Sequence, residues 1–184
     1  ATERLAAAEA ANRQLSDLYP HTDDAFVADW KEELELLQAA VRAGTGSETT
    51  EHARRFLTQR DARRRAADLS VPLIAYERQR EWQEGVAFYV ELDILRQAYV
   101  HDDYRPVREM AADPQFDGYA KFEQRFQQET DQIARMASND GDGRFYYSGM
   151  AQAVLLDKLS PGWKSRYFDD GVFLEDLLRE SVEK

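Results

Sequence analysis

The stretch from residue 72 to residue 100 constrains the fold most, because it offers no point at which a helix must stop. It begins with Pro72 and contains Gly85 as its single glycine. Proline suits the first turn of a helix, and one interior glycine weakens a helix without breaking it. A helix of this length is unusual at the surface of a globular domain. We therefore expect this segment to form a long central helix.

The remaining chain has the same helical character. Apolar residues recur at spacings of three and four, and no segment alternates apolar and polar residues over more than four positions. The chain therefore predicts an all-α fold, a single compact domain over residues 1–184 with about seven or eight helices. Besides the long helix and a short one after Pro106, the predicted helices cover residues 2–18, 25–43, 47–69, 115–137, 145–159 and 172–182.

The apolar positions on these helices predict the core. On an amphipathic helix, the residues that recur every three or four positions share the face that packs inward. The following residues are expected to be buried: Phe26, Trp30, Leu34, Leu37, Phe56, Tyr76, Val90, Ile94, Phe122, Phe126, Leu155, Leu156 and Trp163.

Composition excludes several classes of function. Acidic residues outnumber basic ones 35 to 24, for a net charge of -11, and a polyanion is repelled by nucleic acid and by anionic membranes. No run of 18 apolar residues is present, so no transmembrane segment is expected. The absence of cysteine excludes disulfides, thiolate metal sites and cysteine nucleophiles. A protein or peptide is therefore the expected partner.

Four glutamates follow one another along the long helix. Glu77, Glu81, Glu84 and Glu91 are spaced by four, three and seven residues, which predicts that they share one helical face. Such a face is either a metal or acid–base site in a helical bundle, or a solvated stripe partly neutralised by Arg78, Arg80 and the arginines of residues 47–69. Because runs of charge are usually solvated, the pattern favours the stripe.

No complete metal or hydrolase motif accompanies these carboxylates. Di-metal sites in helical bundles use Glu-x-x-His pairs, and one large class of zinc hydrolases uses His-Glu-x-x-His. The chain contains neither motif, and its histidines are His21, His52 and His101, far apart in sequence. We expect these three to be surface or capping residues. The chain therefore holds no complete catalytic site and binds no cofactor by itself.

Two segments nevertheless resemble a known family. Residues 84–91, Glu-Gly-Val-Ala-Phe-Tyr-Val-Glu, resemble the Glu-Gly-x-Ala-x-Tyr-x-Glu helix of gluzincin-type zinc metallopeptidases. Residues 146–164 are similar to the carboxy-terminal Tyr-x-x-Gly … Leu-Leu-Asp … Pro-x-Trp-Lys stretch of bacterial, often exported, proteins of this peptidase-like type. The resemblance covers about residues 75–178.

The resemblance implies roles for three residues. Glu84 corresponds to the third zinc ligand of the family, and Tyr146 or Tyr147 to a tyrosine that stabilises an oxyanion. The two histidines and the general-base glutamate of the upstream His-Glu-x-x-His helix have no counterpart in this chain. A catalytic zinc is therefore expected only if those ligands come from outside it, since such a site needs three protein ligands.

Two functional hypotheses follow. The chain is either the carboxy-terminal part, or a catalytically incomplete relative, of a bacterial zinc-metallopeptidase-like protein. Alternatively, it is a non-enzymatic, acidic, helical protein-interaction module, which predicts an exposed apolar patch. The chain begins at Ala1, as would a mature exported protein or a cytoplasmic piece of a longer one; the resemblance favours export.

The surroundings of Glu84 provide a test of the resemblance. We expect its carboxylate to lie in a concave, partly buried site, with Gly85 packed closely against another backbone. A buried carboxylate needs a partner. The sequence predicts that this partner comes from residues 47–69 or from Tyr146–Tyr147, and that neither Arg78 nor Arg80 reaches Glu84 from the same helix.

Overall fold

The computed structural model describes residues 14–101, 103–116, 118–139 and 141–183. This part of the chain is a compact, all-helical single domain of eight α-helices without strands, which confirms the predicted fold class. Most of the predicted helix 2–18 lies outside the described residues, of which 14–16 are helical. The α-helices are α1 Asp24–Arg42, α2 Gly46–Ala66, α3 Val71–Arg80, α4 Val86–Val100, α5 Arg108–Ala111, α6 Phe122–Gln132, α7 Gly143–Leu159 and α8 Leu174–Val182.

The predicted long helix is confirmed, with one irregular turn. Helices α3 and α4 are joined without a break by a π-helical turn at Glu81–Gly85, so the helix continues for 30 residues. A π turn contains more residues than the 3.6 of an α-helical turn. It therefore shifts the faces that α3 and α4 present to their neighbours.

Helix α7 lies at the centre of the domain. It packs against the π turn, α4, α8 and α1. Its middle carries small buried residues, including Ser148, Gly149 and Ala153, which allow close approach. The closest approach is at Gly85, where an added Cβ atom would lie 2.8 Å from the carbonyl carbon of Gly149. The predicted close backbone contact at Gly85 is therefore confirmed.

Side chains from the preceding loops cap the first two helices. The Asp23 carboxylate accepts a hydrogen bond of 2.8 Å from the backbone N–H of Phe26 at the start of α1. The Thr45 hydroxyl accepts one of 3.3 Å from the N–H of Glu48 at the start of α2. These bonds satisfy backbone donors that have no partner within the helix. Two short 3₁₀ helices, Ile133–Ser138 and Trp163–Arg166, complete the chain path.

The predicted core is largely correct. Nine of the expected residues are buried: Phe26, Trp30, Leu34, Leu37, Phe56, Tyr76, Leu155, Leu156 and Trp163. The prediction was wrong for Val90 and Ile94, which are 45% and 55% exposed, whereas Phe122 and Phe126 are half-buried. The buried residues of α4 are instead Val86, Tyr89, Leu92 and Ala98, because the π turn rotates α4 relative to α3. Within the described residues, no helix combines the length and apolarity that crossing a membrane requires.

Candidate functional site

An open cleft of about 610 Å³ brings together the residues singled out by the resemblance. Glu84 comes from the π turn, whereas Tyr146 and Tyr147 come from the first turns of α7. Its position follows from the contact between Gly85 and Gly149, which holds the π turn against α7. We call it the Glu84 cleft, and it is lined by Glu84, Ala87, Phe88, Glu91, Gly143, Tyr146 and Tyr147.

The Glu84 carboxylate is partly buried and has two partners. Its side chain is 22% exposed, and its Oε1 lies 3.0 Å from Nη1 of Arg80. The Tyr146 hydroxyl interacts with the same carboxylate, and this interaction, together with partial burial, raises the pKa of Tyr146 to about 12. Tyr146 is therefore protonated at neutral pH and acts as a hydrogen-bond donor. The predicted concave site and the predicted partner from Tyr146 are both present.

The prediction about Arg80 was wrong. Arg80 and Glu84 are four residues apart, a spacing at which side chains on a helix are neighbours. The Arg80 guanidinium also pairs with Asp142, which precedes α7, and so links the long helix to that end of the cleft. Arg78 does not contact Glu84 and instead pairs with Asp176 on α8.

Tyr147 forms the opposite wall of the cleft. Its ring packs edge-on against Phe88, with centroids 5.1 Å apart, and its hydroxyl donates a 2.6 Å hydrogen bond to Glu129. Burial raises the pKa of Tyr147, and the bond to Glu129 raises it further. Glu129 also accepts from Nε of Arg125 at 2.7 Å. Both cleft tyrosines are therefore neutral donors whose hydroxyls are oriented by carboxylates.

The four glutamates of the long helix do not share one face, contrary to the prediction. Glu77 and Glu81 are buried, being 0% and 1% exposed, whereas the side chain of Glu91 is 58% exposed. The π turn between Glu81 and Glu84 breaks the α-helical periodicity on which the prediction depended. The solvated-stripe interpretation was therefore wrong for Glu77 and Glu81.

A buried ionic cluster, which we call the arginine core, explains where Glu77 and Glu81 lie. It contains three guanidinium groups from α2 and four carboxylates from other parts of the bundle, and all seven residues are buried. Their ion pairs cross between helices far apart in sequence. The arginine core consists of Arg60, Arg63, Arg64, Glu33, Glu77, Glu81 and Glu175.

Arg60 is the hub of this cluster. Its Nη1 and Nη2 donate to the two oxygens of Glu81 at 2.8 and 2.5 Å, a bidentate pairing. Its Nε donates to Glu33 at 2.9 Å, and its Nη2 donates to the Ser148 hydroxyl oxygen, also at 2.9 Å. The guanidinium lies 4.6 Å from the centroid of the Phe56 ring. The donors of a buried guanidinium are thus directed to fixed acceptors, as its burial requires.

Glu77 accepts hydrogen bonds from the other two arginines of the arginine core. It accepts hydrogen bonds of 2.6 Å from Arg63 Nη1, 2.7 Å from Arg64 Nε and 2.5 Å from the Tyr19 hydroxyl. Burial alone would raise the pKa of Glu77, but the nearby Arg63 and Arg64 outweigh burial and lower it to about 2. The pKa of Glu175 is likewise lowered, because Arg60 and Arg64 outweigh its burial. Glu77 and Glu175 are therefore ionised at neutral pH.

A signal for the arginine core was present in the sequence. Arg60, Arg63 and Arg64 continue the three- and four-residue spacing of Phe56 and Leu57, so they occupy core positions of α2. The same spacing on α1 places Glu33 beside Trp30 and Leu34. Charged residues at core positions of two helices indicate a buried ionic network. What the sequence does not indicate is which carboxylates the arginines would meet.

The described residues do not fit a catalytic zinc. Among them, no group of three or more histidines, aspartates or glutamates is placed to hold a metal ion. The residues that line the cleft include two carboxylates, Glu84 and Glu91, and no histidine, whereas a catalytic zinc uses three protein ligands. His101 ends α4, as expected for a capping residue, and its Nε2 lies 3.1 Å from Oε1 of Gln97.

Some large apolar residues of α4 are exposed. Val90 and Ile94 are exposed and lie four residues apart on this helix. Val90 also lines a shallow cavity together with Phe168, which is 63% exposed. Comparison of the chain with models of protein families, with curated proteins and with solved structures gives no match.

Proposed function

We propose that this chain binds a peptide or protein partner and holds a cationic group of that partner in the Glu84 cleft. The observation that carries the proposal is the composition of this cleft. Two carboxylates, Glu84 and Glu91, line it together with Phe88, Tyr146 and Tyr147. Carboxylates and aromatic ring faces both attract cations, and aromatic cages are a known means of recognising alkylammonium groups. A lysine side chain combines such a charge with an apolar stem.

The carboxylates have capacity to accept a ligand. Among the residues that the structure describes, Glu91 pairs with Arg125 alone, at 3.7 Å and in an exposed position, and such pairs contribute little free energy. Glu84 accepts a hydrogen bond from Arg80 at Oε1 and interacts with Tyr146, but a carboxylate offers about four lone-pair positions. A ligand ammonium can therefore pair with a lone-pair position of Glu84 that Arg80 leaves open, while Glu91 adds negative charge to the same cleft.

The size and charge of the chain suit such a partner. Binding cavities for small groups usually measure about 300–1,000 Å³, and the Glu84 cleft, at about 610 Å³, falls within this range. A net charge of -11 attracts a basic partner over a distance and speeds association. Val90, Ile94 and Phe168 offer apolar surface for neighbouring residues of the partner.

A second candidate function is supported by a separate observation. Glu84, Tyr146 and Tyr147 were selected by the resemblance to gluzincin-type metallopeptidases, and they line the same cleft. As part of a longer zinc peptidase, this chain would contribute Glu84 while histidines from outside it supply the remaining ligands. The pair between Arg80 and Glu84 would then have to open. For this reason we favour the non-enzymatic function.

Fluorescence anisotropy with basic peptides tests the proposal. A labelled peptide library should yield lysine-containing binders whose affinity falls at least about tenfold when the lysine is replaced by norleucine, since a charged hydrogen bond is lost. Glu84→Gln should weaken binding by a similar factor. Glu35→Gln is the matched control, because Glu35 is an exposed α1 glutamate with a single pair to Lys31.

The same experiment separates the two functions. Binding that is unchanged by chelators and lost in Glu84→Gln supports the peptide-binding function. Peptide cleavage that appears with zinc, once residues preceding Ala1 in a longer chain are included, would favour the peptidase. Lysine-dependent binding that survives the double substitution Glu84→Gln, Glu91→Gln would show that the cationic group binds elsewhere.

A further inference from the structure

A second cavity, of about 460 Å³, opens between α4, α6 and α7. It shares no lining residue with the Glu84 cleft, so its properties are independent of the proposed function. Its floor is apolar and its rim carries charges of both signs. We call it the Lys158 cavity, and it is lined by Tyr89, Leu92, Asp93, Arg96, Phe122, Phe126, Val154, Asp157, Lys158 and Lys164.

The floor is an apolar surface that the fold leaves partly uncovered. Leu92 is almost completely buried, whereas Phe122, Phe126 and Val154 remain half-buried at the cavity. Phe122 and Phe126 lie four residues apart on one side of α6, with ring centroids 5.8 Å apart. Removing such a surface from water is favourable, so this floor suits the hydrocarbon part of a ligand.

The two carboxylates on the rim are already neutralised. Asp157 accepts a 2.6 Å hydrogen bond from the Tyr89 hydroxyl and a 2.9 Å bond from the Trp163 indole. Lys164 lies 3.4 Å from Asp157 and 3.7 Å from Asp93. Asp93 also pairs with Arg96 at 2.6 Å. These aspartates are therefore held by groups of the chain itself and do not call for a cationic ligand.

Lys158 gives the lining of the cavity one more positive charge than its two carboxylates can neutralise. With Arg96 and Lys164 it makes three cations on a rim that has two carboxylates. Its Nζ donates to the backbone carbonyl of Val41 at 2.6 Å and lies 3.5 Å from that of Ala43. No carboxylate of the described residues pairs with it, and an ammonium group has three N–H donors. Partial burial lowers the pKa of Lys158 and so favours an arrangement that brings an anion near it.

We propose that the Lys158 cavity binds a free medium-chain fatty carboxylate, an anion with one unbranched apolar tail. The tail lies over Leu92, Phe126 and Val154, and the carboxylate pairs with the Lys158 ammonium. The volume of the cavity lies within the range of about 300–1,000 Å³ that is usual for small-molecule sites. An anion in a chain of net charge -11 needs such a local cationic group to bind at all.

Isothermal titration of the full chain with decanoate and with decanol tests the proposal. The two probes share their tail and differ in the charged head group. Decanoate should bind in a saturable manner at one site, about tenfold more tightly than decanol, because it gains a charge-assisted hydrogen bond. Lys158→Met should lower the affinity for decanoate by about the same factor and leave the affinity for decanol unchanged. Lys31→Met, at an exposed lysine outside the cavity, should change neither affinity.

Several results would overturn the proposal. These are the absence of saturable decanoate binding up to about 1 mM, equal affinity for the two probes, or an unchanged preference in Lys158→Met. Should that variant fail to fold, Lys158→Arg offers a second measurement, because it keeps the charge and should keep the preference for decanoate. Glu84→Gln should leave decanoate binding intact, so failure of the peptide-binding proposal is distinguishable from failure of this one.

Discussion

Gly85 and Gly149 are in direct backbone contact where the π turn of the long helix crosses α7. A Cβ atom added to Gly149 would lie 2.8 Å from the Cα of Gly85, closer than a Cβ can approach. Helices that pack through side chains stay about 8–10 Å apart, so the pair of glycines permits a closer crossing. Glu81 and Glu84 belong to this π turn, and the contact therefore positions both the arginine core and the Glu84 cleft.

Substituting either glycine should destabilise the protein. Gly85→Ala introduces a methyl group against backbone that cannot move aside, and overpacking of this kind costs about 1–3 kcal/mol or more. We expect the melting temperature to fall by about 2–4 °C per kcal/mol in a chain of this size. Gly46→Ala is the control, because Gly46 begins α2 with open space around it. Equal melting temperatures for the two variants would contradict the close contact.

Removing one guanidinium from the arginine core should be more costly than removing one at the surface. Arg63→Met leaves the buried Glu33 and Glu77 without their shared partner, and such a loss costs about 3–5 kcal/mol. Arg166→Met breaks an exposed pair with Glu180 and should cost at most about 1 kcal/mol. Urea unfolding of both variants measures the difference. Similar unfolding free energies for Arg63→Met and Arg166→Met would show that Arg63 is accessible to water.

The arginine core should make stability depend on pH in the acidic range. The pKa of Glu77 falls from its ordinary 4.5 to about 2 in the folded protein. A lowered pKa contributes stability above the unfolded value, and this contribution is lost as the pH falls from about 4.5 towards 2. A shift of this size corresponds to about 3 kcal/mol. Denaturant unfolding between about pH 6 and pH 3 should show the loss.

Glu77→Gln supplies the comparison for that measurement. The variant should be less stable than the wild type at neutral pH, because Arg63 and Arg64 lose an ionised partner. Its unfolding free energy should then vary less over the acidic range, since the group that titrates has been removed. An unchanged pH dependence would mean that other carboxylates govern acid unfolding.

Tyr146 should report on the charge of Glu84. The bond to this carboxylate is the largest cause of the rise in the pKa of Tyr146 from 10.0 to about 12. Glu84→Gln removes the negative charge and should bring the pKa of Tyr146 back towards 10.0. Nuclear magnetic resonance of ¹³C-labelled tyrosine follows the titration, with Tyr146→Phe to assign the signal. A Tyr146 pKa that remains near 12 in Glu84→Gln would show that a group other than Glu84 raises it.

The Glu84 cleft was partly predictable. The resemblance selected Glu84, Tyr146 and Tyr147, and the cost of a glycine inside a helix predicted the close backbone contact at Gly85. The role of Arg80 was misjudged, although a four-residue separation on a helix makes two side chains neighbours. Glu129 and Asp142 could not be assigned from sequence, because they reach Tyr147 and Arg80 through tertiary packing.

The sequence by itself determined the helices and their order. Helix formation depends on residues within a few positions of one another, so the spacing of apolar residues and the positions of proline and glycine predict the helices directly. The long helix over residues 72–100 and the all-α class follow from such local information. The π turn at Glu81–Gly85 could not be predicted from local information. It coincides with the point where the long helix crosses α7, and the residue that it contacts there, Gly149, lies far along the chain.

Only the tertiary structure decided which charges pair with one another in the arginine core. Arg60, on α2, meets Glu33, Glu81 and Glu175, which lie on other helices or in the π turn. Each of these residues taken alone is typical of a solvated surface. They can be buried because their opposite charges and hydrogen bonds offset the cost of leaving water. That compensation requires all the partners to be in place, and it therefore arises from the packing of the helices.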